Sequence, residues 1–296
     1  MKGRTTAADK YLLEYFYGTC YSESRAALHC SGVEISCEQG NEYSYLDVVL
    51  DGHKKCGNCP HLSERQGFYY GKGEYSADFG LQEYVTINNV RSQEEFKSVC
   101  ENVNSKVRGM VIRAAISDAA ILERFNDLEF VTLENQRISC FWDVSHTPKL
   151  KCLTIWNNRH LKSLNGLENA QNLECLQFYS SFSDVNIKKI DSLKPISKLP
   201  NLKEIVLSAI EPTDHNIEYL IRLPKLDYLW ISPNVFPIEC YAEFEAKRFK
   251  LSEEYGIYHE DEDDIFPYGK GKRIMHTSEQ KKKYLKQYNE LMQQFK

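Results

Sequence analysis

One short pattern, Leu-x-x-Leu-x-Leu with apolar exchanges, recurs along the chain and limits what it can fold into more than any other feature. It reads Leu128-x-x-Val131-x-Leu133, Leu150-x-x-Leu153-x-Ile155, Leu173-x-x-Leu176-x-Phe178, Leu202-x-x-Ile205-x-Leu207 and Leu226-x-x-Leu229-x-Ile231. Successive starts lie 22, 23, 29 and 24 residues apart. Strand side chains alternate, so the fourth and sixth positions of each unit share one face. A period of roughly 20–29 residues leaves room for one strand and one return segment per unit. No such unit buries its apolar face alone, and about three must stack before any is stable.

The rhythm extends upstream. Tyr84-Val85-Thr86-Ile87 alternates like a strand. Ser92-x-x-Glu95 is a capping box ahead of a helix whose Phe96, Val99, Cys100 and Val103 fall on one side. Val107-x-x-Met110-x-Ile112 repeats the spacing 21 residues before Leu128, with Ala114–Phe125 expected as a helical return. The expectation is about five repeats plus a degenerate one near 84–103.

These motifs resemble the leucine-rich repeat superfamily, and the irregular 22–24 period is most similar to the coils of bacterial internalins. The resemblance implies an α/β solenoid: a curved parallel sheet with helical or irregular returns. An N-terminal α+β Cys-rich cap (1–80), the solenoid (81–235) and C-terminal capping helices (236–296) are its expected parts. The family prefers Asn at the ninth position of each unit, to bond the backbone of the turn. That place holds Gln136, Asn158, Ser181, Ile210 and Asn234, so the Asn ladder is expected to be broken. The 29-residue unit carries an extra loop, Ser180–Asp184, either a binding insertion or a tolerated surface loop.

Composition narrows the function classes. A net charge of −5 argues against a general nucleic-acid binder, which carries a basic surplus. The sequence holds no run of about 18 apolar residues, so no membrane span is expected. The first residues lack the apolar stretch of a signal peptide, which points to a cytoplasmic protein with reduced thiols.

The flanks are read from their own signals. Residues 6–17 read as a helix ended by Gly18, Glu239–Lys250 as a capping helix, and 278–295 as a final helix capped by Thr277-x-x-Gln280. The last carries a stripe of Tyr284, Leu285, Tyr288, Leu291, Met292 and Phe295, read as a core face. Glu260–Asp264 is an acidic run expected as a solvated loop, and it balances the basic, Gly-rich stretch Tyr268–Arg273. That stretch lacks the spacing of a phosphate loop. Residues 19–80 hold five of the ten Cys. Within them Tyr43–Leu50 reads as a strand, and Cys56-Gly57-Asn58-Cys59 has the form of a zinc-knuckle turn, flanked by His53 and His61. Cys30 and Cys37 are the candidates for a second ligand pair, completing a structural zinc site with Cys56 and Cys59. Unmetallated thiols or a redox pair remain the alternatives.

Function is expected on the sheet face away from the core. Positions three, five and seven of the units place Phe130, Glu134, Trp156, Tyr179, Glu204, Tyr228 and Trp230 along the concave face the resemblance implies. Large rings there are expected to stand exposed as partner-binding anchors. The rival is that the flanks pack over this face. No nucleophile elbow, His-Glu-x-x-His or Gly-x-Gly-x-x-Gly is present. The reading is therefore a non-enzymatic protein-interaction module, of the kind that serves as a toxin-neutralising immunity protein or adaptor, with a basic partner suiting the acidic balance. The alternative is a zinc-binding or redox-active protein with its activity in 19–80 and the repeats positioning a substrate.

Overall fold

A computed structural model describes residues 34–36, 42–44, 66–76, 79–158, 160–180, 187–251 and 267–296. The strands are β1 (Glu34–Ser36), β2 (Glu42–Ser44), β3 (Gln66–Gly71), β4 (Glu74–Tyr75), β5 (Tyr84–Val90), β6 (Gly109–Ala114), β7 (Phe130–Glu134), β8 (Cys152–Trp156), β9 (Cys175–Tyr179), β10 (Lys188–Ile190), β11 (Glu204–Ser208), β12 (Ile210–Pro212) and β13 (Tyr228–Ile231). Nine of them form one sheet in the order β13-β11-β9-β8-β7-β6-β5-β3-β4. All neighbours in it are parallel except β3 and β4. The molecule is thus mixed α/β, built on a large parallel sheet in which each sequence repeat supplies one strand.

The register is continuous. Met110, Val131, Leu153, Leu176, Ile205 and Leu229 stand opposite one another from β6 to β13. Ile112, Leu133, Ile155, Phe178, Leu207 and Ile231 do the same two places on. All twelve are buried in one core cluster that runs unbroken from Tyr69 to Tyr288. Leu128, Leu150, Leu173, Leu202 and Leu226, the first residue of each unit, join it from the return side. Stacking satisfies each unit's apolar face with that of its neighbour, as the spacing requires.

The returns are shorter and less regular than a run of helices. Helix α1 (Gln93–Glu101) is capped by Ser92, whose hydroxyl accepts from Glu95 N, and buries Phe96, Val99 and Cys100 as the spacing predicts. The helical return expected over 114–125 is a single 3-10 turn, Ala120–Arg124. Further 3-10 turns cover Val144–His146, Leu167–Asn169 and Lys194–Lys198, and a one-turn helix, α2, covers Glu218–Ile221.

Two local devices were not expected. Between the long unit and the one after it, β10 and β12 form a second, parallel pair on the return side. The chain turns into β12 through Ala209, which holds φ +53. A backbone ladder there stands where an Asn side chain serves elsewhere, and it explains Ile210 at a ninth position. At the other end, β3 extends the sheet ahead of Gln82, where the rhythm becomes visible. Its Gly67 stands opposite Val85, and a Cβ on it would meet Phe79 Cα at 2.7 Å. Only glycine lets the backbones pack this closely.

At the C-terminal end, α3 (Ile238–Lys247) and α4 (Ser278–Phe295) pack on each other and on the last repeat. The capping box at Thr277 forms as read from the sequence, and Tyr284 and Tyr288 are buried, with Leu285, Leu291, Met292 and Phe295 packed against the core. Tyr268–Arg273 is joined by backbone to the last repeat and by a side chain to the repeat before it. Gly269 N donates to Pro233 O (2.8 Å), Lys270 N to Phe236 O (2.7 Å), and Lys270 Nζ to the buried Glu211 carboxylate (2.5 Å). Gly269 sits at φ +124, a conformation side chains resist, with Ile238 in the way of any Cβ.

Within this cap, Tyr241 and Tyr268 stack at 4.6 Å and Tyr284 and Tyr288 at 5.9 Å. Glu245 lies beside them, and burial pushes its carboxyl above the usual range despite a hydrogen bond from Leu251 N. A folded-state pKa above the unfolded one gives stability that is complete at low pH and lost as pH rises through the folded value. Glu245→Gln, neutral throughout, is therefore expected to raise the melting temperature by about 2 °C at neutral pH. The gain should disappear below about pH 4, where the unfolded carboxyl is protonated too. A pH-independent gain in thermal melts would refute this origin.

Candidate protein-binding face

The same registers set three rows of side chains on the opposite face of the sheet. The first is Tyr84, Gly109, Phe130, Cys152, Cys175, Glu204 and Tyr228. The second is Thr86, Val111, Thr132, Thr154, Gln177, Val206 and Trp230, and the third Asn88, Arg113, Glu134, Trp156, Tyr179 and Ser208. All seven residues expected on this face are on it.

Their exposure differs from expectation. Phe130 is fully buried, Tyr179 and Trp230 are 8% and 7% exposed, and Glu134 and Glu204 are buried as well; Trp156 and Tyr228 are half-buried. Part of the reason is lateral: parallel strands lie about 4.8 Å apart, so residues in register pack side against side. Trp156 and Tyr179 stack with centroids at 4.1 Å and planes 17° apart. Tyr179, Val206 and Trp230 form a second apolar cluster, distinct from the repeat core, with Trp156 and Tyr228 packed against it. Beside the stack, Arg113 Nε and Glu134 Oε2 pair at 2.7 Å, both side chains little exposed. The middle of the face is made of smaller residues, Gly109, Cys152, Cys175, Thr132 and Thr154.

Two ladders flank the strands. At the second position of the units the charges alternate: Glu83, Arg108, Glu129, Lys151, Glu174, Lys203, Asp227. Each nitrogen from Arg108 to Asp227 donates its backbone hydrogen to the carbonyl of the residue before it in this row. Ion pairs link Arg108 with Glu83 and Glu129, Lys151 with Glu129, and Lys203 with Glu174. The alternation is visible in the sequence itself, as one charge of alternating sign at a fixed repeat position.

After the strands, Asn89, Asn135 and Asn157 adopt φ near +55, a region Asn tolerates. Asn157 Nδ2 donates to Asn135 Oδ1 at 2.6 Å. At the ninth position both Gln136 and Asn158 are buried and bond backbone: Gln136 Nε2 donates to Ile112 O and Glu134 O, Asn158 Nδ2 to Ile138 O. Gln136 thus supplies only the donor half of the Asn role: Asn158 Oδ1 also accepts from His160 N and Leu161 N, while Gln136 Oε1 is buried without a hydrogen-bond partner.

Cys30, Cys37, Cys56 and Cys59, the candidate zinc ligands, lie outside the described residues, as do the helix expected over 6–17, the acidic run and most of the loop at Ser180–Asp184. Among the described residues no three His, Cys, Asp or Glu side chains are grouped to hold a metal ion, and no helix is long and apolar enough to cross a membrane. Burial pushes the Cys100 and Cys240 thiols up, to about 12 and about 11, which suppresses the thiolate.

No known protein-family model matches the chain. Among solved structures it is similar to an internalin (inlF) from Listeria monocytogenes, with 18% identity over 60% of this chain and 50% of that one, at a TM-score of 0.44. It is also similar to an internalin C2 (inlC2) from the same organism, with 13% identity over 51% of this chain and 61% of that one, at 0.40. The chain spans half to three fifths of the length of these proteins. At such scores the repeat architecture rests on the strand registers themselves.

Proposed function

We propose that the chain is a leucine-rich repeat solenoid acting as a non-enzymatic protein-interaction module, with one protein partner bound on the sheet face away from the core. The observation that carries this reading is the aromatic cluster of Trp156, Tyr179, Val206, Tyr228 and Trp230, formed apart from the core. Rings preorganised by stacking cost little rotamer entropy on binding, and half-buried Trp156 and Tyr228 are the residues a partner meets first. The finer form is a cytoplasmic immunity protein or adaptor whose partner is basic, in keeping with the net charge of −5.

A second reading has the burial of Phe130, Tyr179 and Trp230 behind it: the cluster serves the chain's own packing. Affinity capture from host lysate, read with thermal melts, separates the two. The first expects one stoichiometric protein with the wild type and its loss with Trp156→Ala or Trp230→Ala, by at least about a hundredfold in affinity, the fold retained. If those variants instead melt several degrees lower and keep whatever partner the wild type captures, the packing reading stands.

A further inference from the structure

Residues 267–296 hold eight Lys and Arg against two Glu, in a chain whose net charge is −5. The imbalance is displayed on a built surface. The loop is bonded to the last repeat through Gly269 and Lys270, Tyr284 Oη donates to Tyr268 O (3.0 Å), and Lys272 Nζ donates to Gln287 Oε1 on α4 (3.4 Å). Lys272, Arg273, Lys282, Lys283 and Lys286 are all exposed on this loop and helix. Lys270 is engaged by Glu211, and Lys286 has only a distant pair, 3.9 Å from Glu290. Among the described residues Arg273, Lys282 and Lys283 form no ion pair. Next to Arg273 stands Ile274, 40% exposed, one of three large apolar side chains displayed by the described residues.

We infer that this surface docks the protein peripherally on an anionic lipid membrane, with Ile274 entering the headgroup layer and the five cations facing lipid charges. A cluster of about four to eight Lys and Arg on a helix suits a phosphatidylserine-bearing surface. An exposed aliphatic residue amid the cations gains from the interface but nothing from a phosphate backbone. The tyrosines of this region, Tyr268, Tyr284 and Tyr288, are buried and offer no ring for base stacking, which disfavours single-stranded nucleic acid. Screening over about 8 Å at physiological salt keeps the chain's remote negative charge from cancelling the patch. The apolar stripe of α4 is spent on the core, so the helix lies on the surface and does not enter it.

Co-sedimentation of the full chain with phosphatidylcholine vesicles, with and without roughly one-third phosphatidylserine, tests this. Binding to the anionic vesicles alone is expected, abolished by about 0.5 M NaCl. Lys282→Glu with Lys283→Glu should weaken it by about tenfold or more, and Ile274→Asp should weaken it with the cations intact. These exposed positions should leave the melting temperature unchanged. No pelleting would overturn the proposal, including the case in which the chain's own Glu260–Asp264 run neutralises the patch. So would an unchanged Lys282→Glu/Lys283→Glu double variant, or Lys-dependent binding to an RNA oligomer with none to vesicles.

Discussion

Asn158→Ala is expected to lower the unfolding free energy by about 3 kcal/mol, among the largest costs of any polar substitution in the repeats. Asn158 is 1% exposed. Its Oδ1 accepts from His160 N (2.9 Å) and Leu161 N (3.2 Å), and its Nδ2 donates to Ile138 O (3.2 Å). Two are amides of the turn where the chain leaves β8 and the third is a carbonyl of the preceding repeat, and the alanine removes this partner from all three. A buried unsatisfied group costs about 1–3 kcal/mol, and three sharing one side chain do not add fully. Asn172 is the control: exposed, with one bond to Pro148 O, its alanine should cost under about 1 kcal/mol. Urea denaturation at constant slope would measure both. Equal midpoints for the two variants would show that the buried Asn is not what satisfies the turn.

The strands and their core face were legible because an apolar residue at positions one, four and six is a physical demand of stacking. The capping box at Thr277 and the Ser92 N-cap were legible for the same kind of reason, since the side chain that satisfies the first turn is local. The reciprocal half expected at Ser92 does not form, because the Glu95 carboxylate accepts from Arg91 N and Tyr69 Oη. What escaped was non-local. Strand β3 has glycine at a core register position, so the apolar rhythm is silent there, and the cause is the Phe79 backbone closing on Gly67. The β10–β12 pair is carried by Lys188-Lys189-Ile190 and Ile210-Glu211-Pro212, three residues each and too short for an apolar rhythm to mark them. On the far face, alternation gave the direction of Phe130, Trp156, Tyr179 and Trp230 but not their exposure. Exposure depends on which residues stand in register, such as Trp156 on Tyr179. The turn ladder was sought at the ninth position alone, whereas left-handed Asn135 and Asn157 occupy the eighth and are linked to each other there.

Reversing one charge of the alternating row, Glu129→Lys, should cost about 3 kcal/mol at neutral pH. The Glu129 side chain is 11% exposed; Arg108 donates to Oε1 through Nη2 (2.7 Å) and Nε (2.8 Å), and Lys151 Nζ donates to Oε2 at 2.8 Å. Burial alone would raise its carboxyl pKa, yet the hydrogen bonds from Lys151 and then Arg108 outweigh it and hold the pKa below the usual range. A folded-state pKa below the unfolded one gives stability that is present above about pH 4.3 and lost as pH falls through the folded value. The deficit of Glu129→Gln against the wild type should therefore shrink in acid. A pH-independent deficit would mean that packing, not charge, is at stake. Combining Glu129→Lys with Lys151→Glu tells an isolated pair from a ladder. An isolated pair would be restored in full by the swap. In a row of alternating sign the swap sets a cation beside Arg108 and an anion beside Glu174, so each end gains a like-charge neighbour and rescue is partial at most. Since each strand carries one such charge beside its backbone bond to the next, the row disfavours slippage of one strand past its neighbour. That holds Trp156 opposite Tyr179 and Val206 opposite Trp230, the arrangement on which the aromatic cluster depends.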